Sequence, residues 1–161
     1  MFKQVVCSGF LLLTLTSLAH AMPPFIGNDY SGKYLCKGNN LNVGNYEVFV
    51  TLKLNTTTSH DLYGIYKFSA EFNNQAAYTG HILAKGNKFS IAFKLLNASD
   101  TDSSTGVGDF RKLDKNRWSF KNTYYEPDGN GGNFGNDQCI MQHPDNAPKK
   151  TSTNHNNNNL S

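Results

Sequence analysis

Most of the features that would betray an activity are missing from this chain. Its 161 residues include only three cysteines and one tryptophan, with no CxxC pair. That argues against a zinc site or a dithiol redox centre. No catalytic or cofactor motif is present that is specific enough to name a reaction. Beyond residue 21 no apolar run approaches the roughly 20 residues a helix needs to cross a bilayer. No stretch sustains the 3.6-residue apolar period of an amphipathic helix, so a helical architecture is not expected. There is also no excess of one charge. Removing Lys3 with the first 21 residues leaves 14 of the 15 basic side chains against 12 acidic ones, interspersed without a basic stripe. The electrostatic footprint of a nucleic-acid binder is therefore missing, and no nucleic-acid partner is expected.

What the chain does have begins at its N-terminus. Residues 1–21 combine Lys3, an apolar run over 5–18 and the small-x-small end Ala19-His20-Ala21, the pattern of a cleaved secretory signal. The protein is expected to be exported, periplasmic or secreted, with a mature chain starting at Met22 and no membrane insertion. Cys7 lies near the start of the apolar run instead of ending it, which is not the arrangement of a lipoprotein.

Cleavage leaves Cys36 and Cys139. Two cysteines in an exported chain read as one disulfide, with two free thiols or a shared metal as the alternatives. They fall in the first and last strand-like segments, so pairing would bring the two ends of the chain side by side.

Between them the pattern is period two. Over 45–55, Tyr46, Val48, Val50, Leu52 and Leu54 alternate with Glu47, Thr51 and Lys53, the signature of a half-buried strand. The alternation recurs over 62–72 (Tyr66, Phe68, Ala70, Phe72), 88–96 (Phe89, Ile91, Phe93, Leu95) and 117–125 (Trp118, Phe120, Tyr124). Shorter strands fit 32–37, 77–84, 105–112 and 136–142. Turn residues separate them: Gly38-Asn39-Asn40, Asn73-Asn74, Lys85-Gly86-Asn87, Asp114-Lys115-Asn116 and a Gly/Asn cluster over 128–135. Eight strands with mostly short connections predict an all-β fold, an eight-stranded antiparallel up-and-down β-barrel closed by one disulfide, because closure removes exposed edges. A two-sheet sandwich is the rival. The expected organisation is a signal over 1–21, a lead-in over 22–29, one barrel domain over 30–143 and a disordered Asn-rich tail over 144–161, whose few apolar side chains would not support a core. A monomer is expected.

Candidates for chemistry are sparse. His60-Asp61 in a turn, His81 on the outward parity of a strand, and Asp109 and Glu126 near strand ends are the titratable candidates, and nothing in their spacing assembles a nucleophile, a base and an orienting group. The segments 100–104 and 128–137 carry carboxylate and amide oxygens beside glycines in the manner of calcium loops. They lack the Glu at position twelve and the flanking helices of an EF-hand, and turn chemistry accounts for them. Neither a metal nor a cofactor is expected.

An eight-stranded barrel either fills with its own side chains or encloses one small ligand. Its inward faces here are rich in rings that serve both outcomes. As packing they form the core. As a lining, Tyr34, Val50, Tyr66, Phe68, Tyr78, Phe93, Trp118 and Tyr124 would enclose a small apolar or aromatic molecule.

Two resemblances bear on this. Ser31-Gly32-Lys33-Tyr34 resembles the G-x-W opening of the lipocalin and avidin barrels, with Tyr34 where those families place Trp; the resemblance implies a calycin-like barrel with a small-ligand lumen across 30–142. Tyr34-Leu35-Cys36, with the second Cys in the last strand, also looks like the periplasmic inhibitors of c-type lysozyme, which are small disulfide-closed barrels. That likeness implies a protein partner engaged through a loop. The sequence is thus read as an exported, non-enzymatic binding protein for a small apolar or aromatic ligand. The alternative is a protein inhibitor or adhesion module.

Overall fold

A computed structural model describes residues 22–73, 75–98, 103–127 and 131–144; the expected signal and all of the expected tail beyond Pro144 lie outside the described residues. Eight strands run in chain order: β1 (Gly32–Asn40), β2 (Gly44–Leu54), β3 (Tyr63–Phe72), β4 (Gln75–Lys85), β5 (Lys88–Leu95), β6 (Ser104–Lys112), β7 (Trp118–Glu126) and β8 (Asn133–Pro144). Each pairs antiparallel with the next, and β8 pairs back onto β1, so the sheet is a closed barrel with no free edge. No helix occurs among the described residues. The sandwich is thereby excluded.

Closure places Cys36 directly opposite Cys139, with Cα atoms 4.0 Å apart and the sulfurs bonded. Both side chains point into the barrel and are buried. The bond spans a sequence separation of 103 residues. In the chain-entropy account, a loop of that length stabilises the fold by roughly 4 to 5 kcal/mol.

Alternation holds along every strand, and the inward residues divide the barrel into two unlike halves. One end is packed solid. Tyr30, between the lead-in and β1, stacks on Phe110 with ring centroids 3.7 Å apart and meets Trp118 edge-on at 4.8 Å. Its hydroxyl donates to the Gly86 carbonyl at 2.7 Å, while the Tyr34 hydroxyl donates to the Tyr30 carbonyl at 2.7 Å. Tyr66 adds a hydrogen bond to the Asn28 carbonyl at 2.8 Å. Upstream, Pro24 and Phe25 bridge His60 and Asp61, and the Ile26 amide donates to the Asp61 carbonyl at 2.8 Å. The lead-in is therefore a plug that closes this end, with its backbone polar groups satisfied by the barrel.

The largest departures from the expected strand boundaries fall in β1 and β8. Gly38, Asn39 and Asn40 form the end of β1 instead of a turn, because β1 pairs on both sides up to Asn40, opposite Gly44 and Gly135. Two ladders outweigh the turn preference of Gly and Asn, and the turn moves to residues 41–43, where Gly44 takes a positive φ of 76°. Likewise β8 begins at Asn133, inside the expected Gly/Asn loop, and runs to Pro144, the first residue of the expected tail.

Two stability measurements check this account. Replacing both cysteines by alanine is expected to lower the urea unfolding free energy by roughly 4 kcal/mol; a change below about 1 kcal/mol would show that closure does not depend on the bond. Tyr30→Ala is expected to cost roughly 3 to 5 kcal/mol, as for removal of a buried ring, and a surface-like loss would remove the lead-in from the core.

Candidate functional site

The other half of the barrel is hollow. A cavity of about 310 Å³ opens at the end formed by the β1–β2 turn and the last residues of β3, β5 and β7. Its deep wall is apolar: Val48 and Val50 from β2, Phe68 and Ala70 from β3, Ile91 and Phe93 from β5. Phe93 meets Tyr78 and Tyr124 edge-on at centroid distances of 5.8 and 5.4 Å. Towards the mouth the lining turns polar, with Asn40, Tyr46, Asn122, Tyr124, Glu126 and Asp137. No Lys, Arg or His borders the cavity among the described residues. A depression of about 750 Å³ on the outer wall, near Lys85, Lys88 and Lys121, is an open surface and not part of the lumen.

The polar side has a definite construction. Gly38 lies between Tyr46 on β2 and Asp137 on β8, directly opposite both. A Cβ there would collide with the Tyr46 ring and the Asp137 carboxylate. Without one, Tyr46 reaches across β1 and donates to Asp137 Oδ1 at 2.6 Å. Gly135 plays the same part between Asn40 and Tyr124, where Asn40 Nδ2 donates to the Tyr124 hydroxyl at 3.2 Å. With the Tyr46 proton on Asp137, Tyr124 donates to the Tyr46 oxygen at 2.9 Å. Asn40 Nδ2 also reaches Glu126 Oε2 at 3.2 Å, Asn133 donates to Asn40 Oδ1, and the Asn122 side chain donates to Asp137.

These bonds run in one direction. Each group donates to the next, from Asn133 to Asn40, Tyr124 and Tyr46, with Asp137 as the final acceptor. Asn122 Oδ1 is left buried without a partner. Burial raises the Asp137 carboxyl above its ordinary value, and the hydrogen bonds from Tyr46 and Asn122 oppose that rise. Burial together with the neighbouring Asp137 charge pushes the Tyr46 hydroxyl strongly upwards. Tyr78 is raised by burial and then by Glu126, and Tyr124 by burial against the hydrogen bonds it makes. All three phenols stay protonated at neutral pH.

Of the eight lining residues expected from the alternation, Val50, Phe68, Tyr78, Phe93 and Tyr124 border the cavity. Tyr34, Tyr66 and Trp118 do not. They point inward but lie at the plugged end, packed around Tyr30 and Phe120. Parity gives a side chain's face and not its height along the axis. Asn40, Tyr46, Asn122 and Asp137 went unassigned to the site. For three of them the signal was present, since Tyr46, Asn122 and Asp137 share the inward parity of Val48, Tyr124 and Cys139. Asn40 was hidden by its turn-like neighbours.

The titratable candidates do not assemble. His60 and Asp61 hold the plug, His81 is exposed on the outer wall, and Asp109 pairs with Lys88 outside the barrel. Glu126 alone reaches the cavity. Residues 100–102 and 128–130 of the calcium-like segments lie outside the described residues; residues 133–137 are strand, with Asp137 committed inside the barrel. Among the described residues no group of three His, Cys, Asp or Glu side chains is placed to hold a metal.

Because the folded carboxyl of Asp137 is raised, its favourable contribution is complete below the unfolded value and is lost as pH rises through the folded one. Asp137→Asn mimics the protonated acid, with Asn122 free to turn its amide. The melting temperature of this variant relative to the parent is expected to become more positive from pH 3 to pH 7. A difference that moves the other way would refute the burial account.

No family model matches this chain, and neither a curated protein nor a solved structure matches it.

Proposed function

We propose that this chain is an exported, non-enzymatic binding protein that takes one small apolar or aromatic molecule into the open half of its barrel. The carrying observation is the cavity of about 310 Å³, which falls within the roughly 300 to 1,000 Å³ of small-molecule sites. It is walled by Val50, Phe68, Phe93, Tyr78 and Tyr124 and stopped at its base by packed rings. A rigid wall suits this role. The eight strands are paired on both sides, the inward rings make edge contacts with one another, and little reorganisation opposes ligand entry. Export is supported by the buried disulfide, since such bonds persist in oxidising compartments.

A second reading, a protein inhibitor or adhesion module acting through its loops, draws on one observation. Leu41, Val43, Phe72, Leu95 and Leu96 stand at the mouth with half or more of their surface exposed, and apolar side chains grouped in this way mark contact surfaces. Loss of lysozyme binding in a Leu41→Ser, Leu96→Ser double variant, with lumen binding intact, would favour this reading.

N-Phenyl-1-naphthylamine, a neutral aromatic dye that brightens in apolar surroundings, tests the first reading. The parent is expected to bind it at a single site. Ala70→Phe, which sets a ring into the cavity, is expected to weaken that binding at least tenfold, and Ile91→Phe serves as a second filling variant. Unchanged dye binding in a folded filled variant would take the site out of the lumen.

A further inference from the structure

The lining of the cavity restricts the chemistry of its occupant, given the reading of the lumen as a small-molecule site. Two carboxyl groups, Glu126 and Asp137, border it, and no described basic side chain does. They are the two ends of one hydrogen-bonded chain: Asn40 holds Glu126 and Tyr124 at 3.2 Å each, Tyr124 meets Tyr46 at 2.9 Å, and Tyr46 meets Asp137 at 2.6 Å. Every proton in that chain is directed at a protein acceptor. That chain therefore turns mainly acceptors towards an occupant, and the Tyr78 hydroxyl stands beside it.

A separate observation points the same way. Asn122 is only 6% exposed and borders the cavity, and its Oδ1 has no hydrogen-bond partner. Its orientation is set by its amide N–H groups, which Asp137 takes. A buried acceptor without a donor costs on the order of 1 to 3 kcal/mol. An occupant that brings a donor removes that cost.

The rings supply the third element. Tyr46, Tyr78, Phe93 and Tyr124 surround the same region, and the faces of such rings attract cations. A neutral ligand would leave both carboxyl groups without a counter-charge, and an anion would be repelled by them. We propose that the occupant is an organic ammonium ion, a protonated primary amine carried on an apolar or aromatic body. One of its N–H groups serves Asn122 Oδ1, and its charge is balanced by Glu126 and Asp137 on the same wall. Its body lies against Val50, Phe68 and Phe93.

The test uses three displacers of similar size against the neutral dye at pH 7: 2-phenylethylammonium, 2-phenylethanol and 3-phenylpropanoate. The ammonium ion is expected to bind at least tenfold more tightly than the alcohol, and the carboxylate most weakly. In Glu126→Gln and in Asp137→Asn the ratio of ammonium to alcohol affinity is expected to fall several-fold, and in the double variant to approach one. An ammonium ion that binds no better than the alcohol in the parent, or displaces nothing, overturns this assignment, while dye binding abolished by Ala70→Phe still supports the lumen as a small-molecule site. Absence of dye binding overturns both.

Discussion

The pairing of β8 back onto β1 is the constraint from which the other features of the molecule follow. An eight-stranded meander left open would expose two strands of unpaired N–H and C=O groups. Here those strands meet along their whole length, and one buried disulfide fixes the pair at Cys36 and Cys139. Closure forces alternate residues of all eight strands towards a single axis. It also sets the lateral neighbours that matter at the mouth, because Gly38 falls between Tyr46 and Asp137 only when β1 has both β2 and β8 beside it.

Within that cylinder, side-chain size decides what is filled and what is hollow. At the plugged end Tyr30, Tyr34, Tyr66, Phe110 and Phe120 occupy the axis and leave no room for a ligand. At the other end glycines stand at inward positions next to large residues: Gly38 beside Tyr46, Gly80 between Phe68 and Phe93, and Gly106 and Gly135 beside Tyr124. A missing side chain at each of these points lets a neighbouring strand's ring lie along the wall, so the centre stays open. The polar chain from Asn133 to Asp137 then holds those rings in place, since Tyr46 and Tyr124 are tethered by their hydroxyls as well as by packing.

Much of the fold was legible because period two is a one-dimensional property. The strands built on Tyr46 to Leu54, Phe89 to Leu95 and Trp118 to Tyr124 were marked by alternation alone, and two cysteines at the ends of the meander indicated closure. The ends of strands were less legible. Asn39 and Asn40 favour turns by themselves and are held in β1 by partners far along the chain, on β8. The site was legible in part. Alternation gives the inward face of all eight expected lining residues but not their height, which sets Val50, Phe68, Tyr78, Phe93 and Tyr124 at the cavity and Tyr34, Tyr66 and Trp118 at the plugged end.

The sequence by itself determined which residues alternate and which face each inward residue takes, because these depend on neighbours one and two positions away. Only the tertiary structure decided the height of each ring in the barrel and the plugging of one end by Tyr30. It alone brought Tyr46 to Asp137 across Gly38 and left Asn122 Oδ1 without a donor. Those outcomes depend on the stagger between strands and on which side chain lies opposite which, quantities that exist only once eight separate segments have been brought into register.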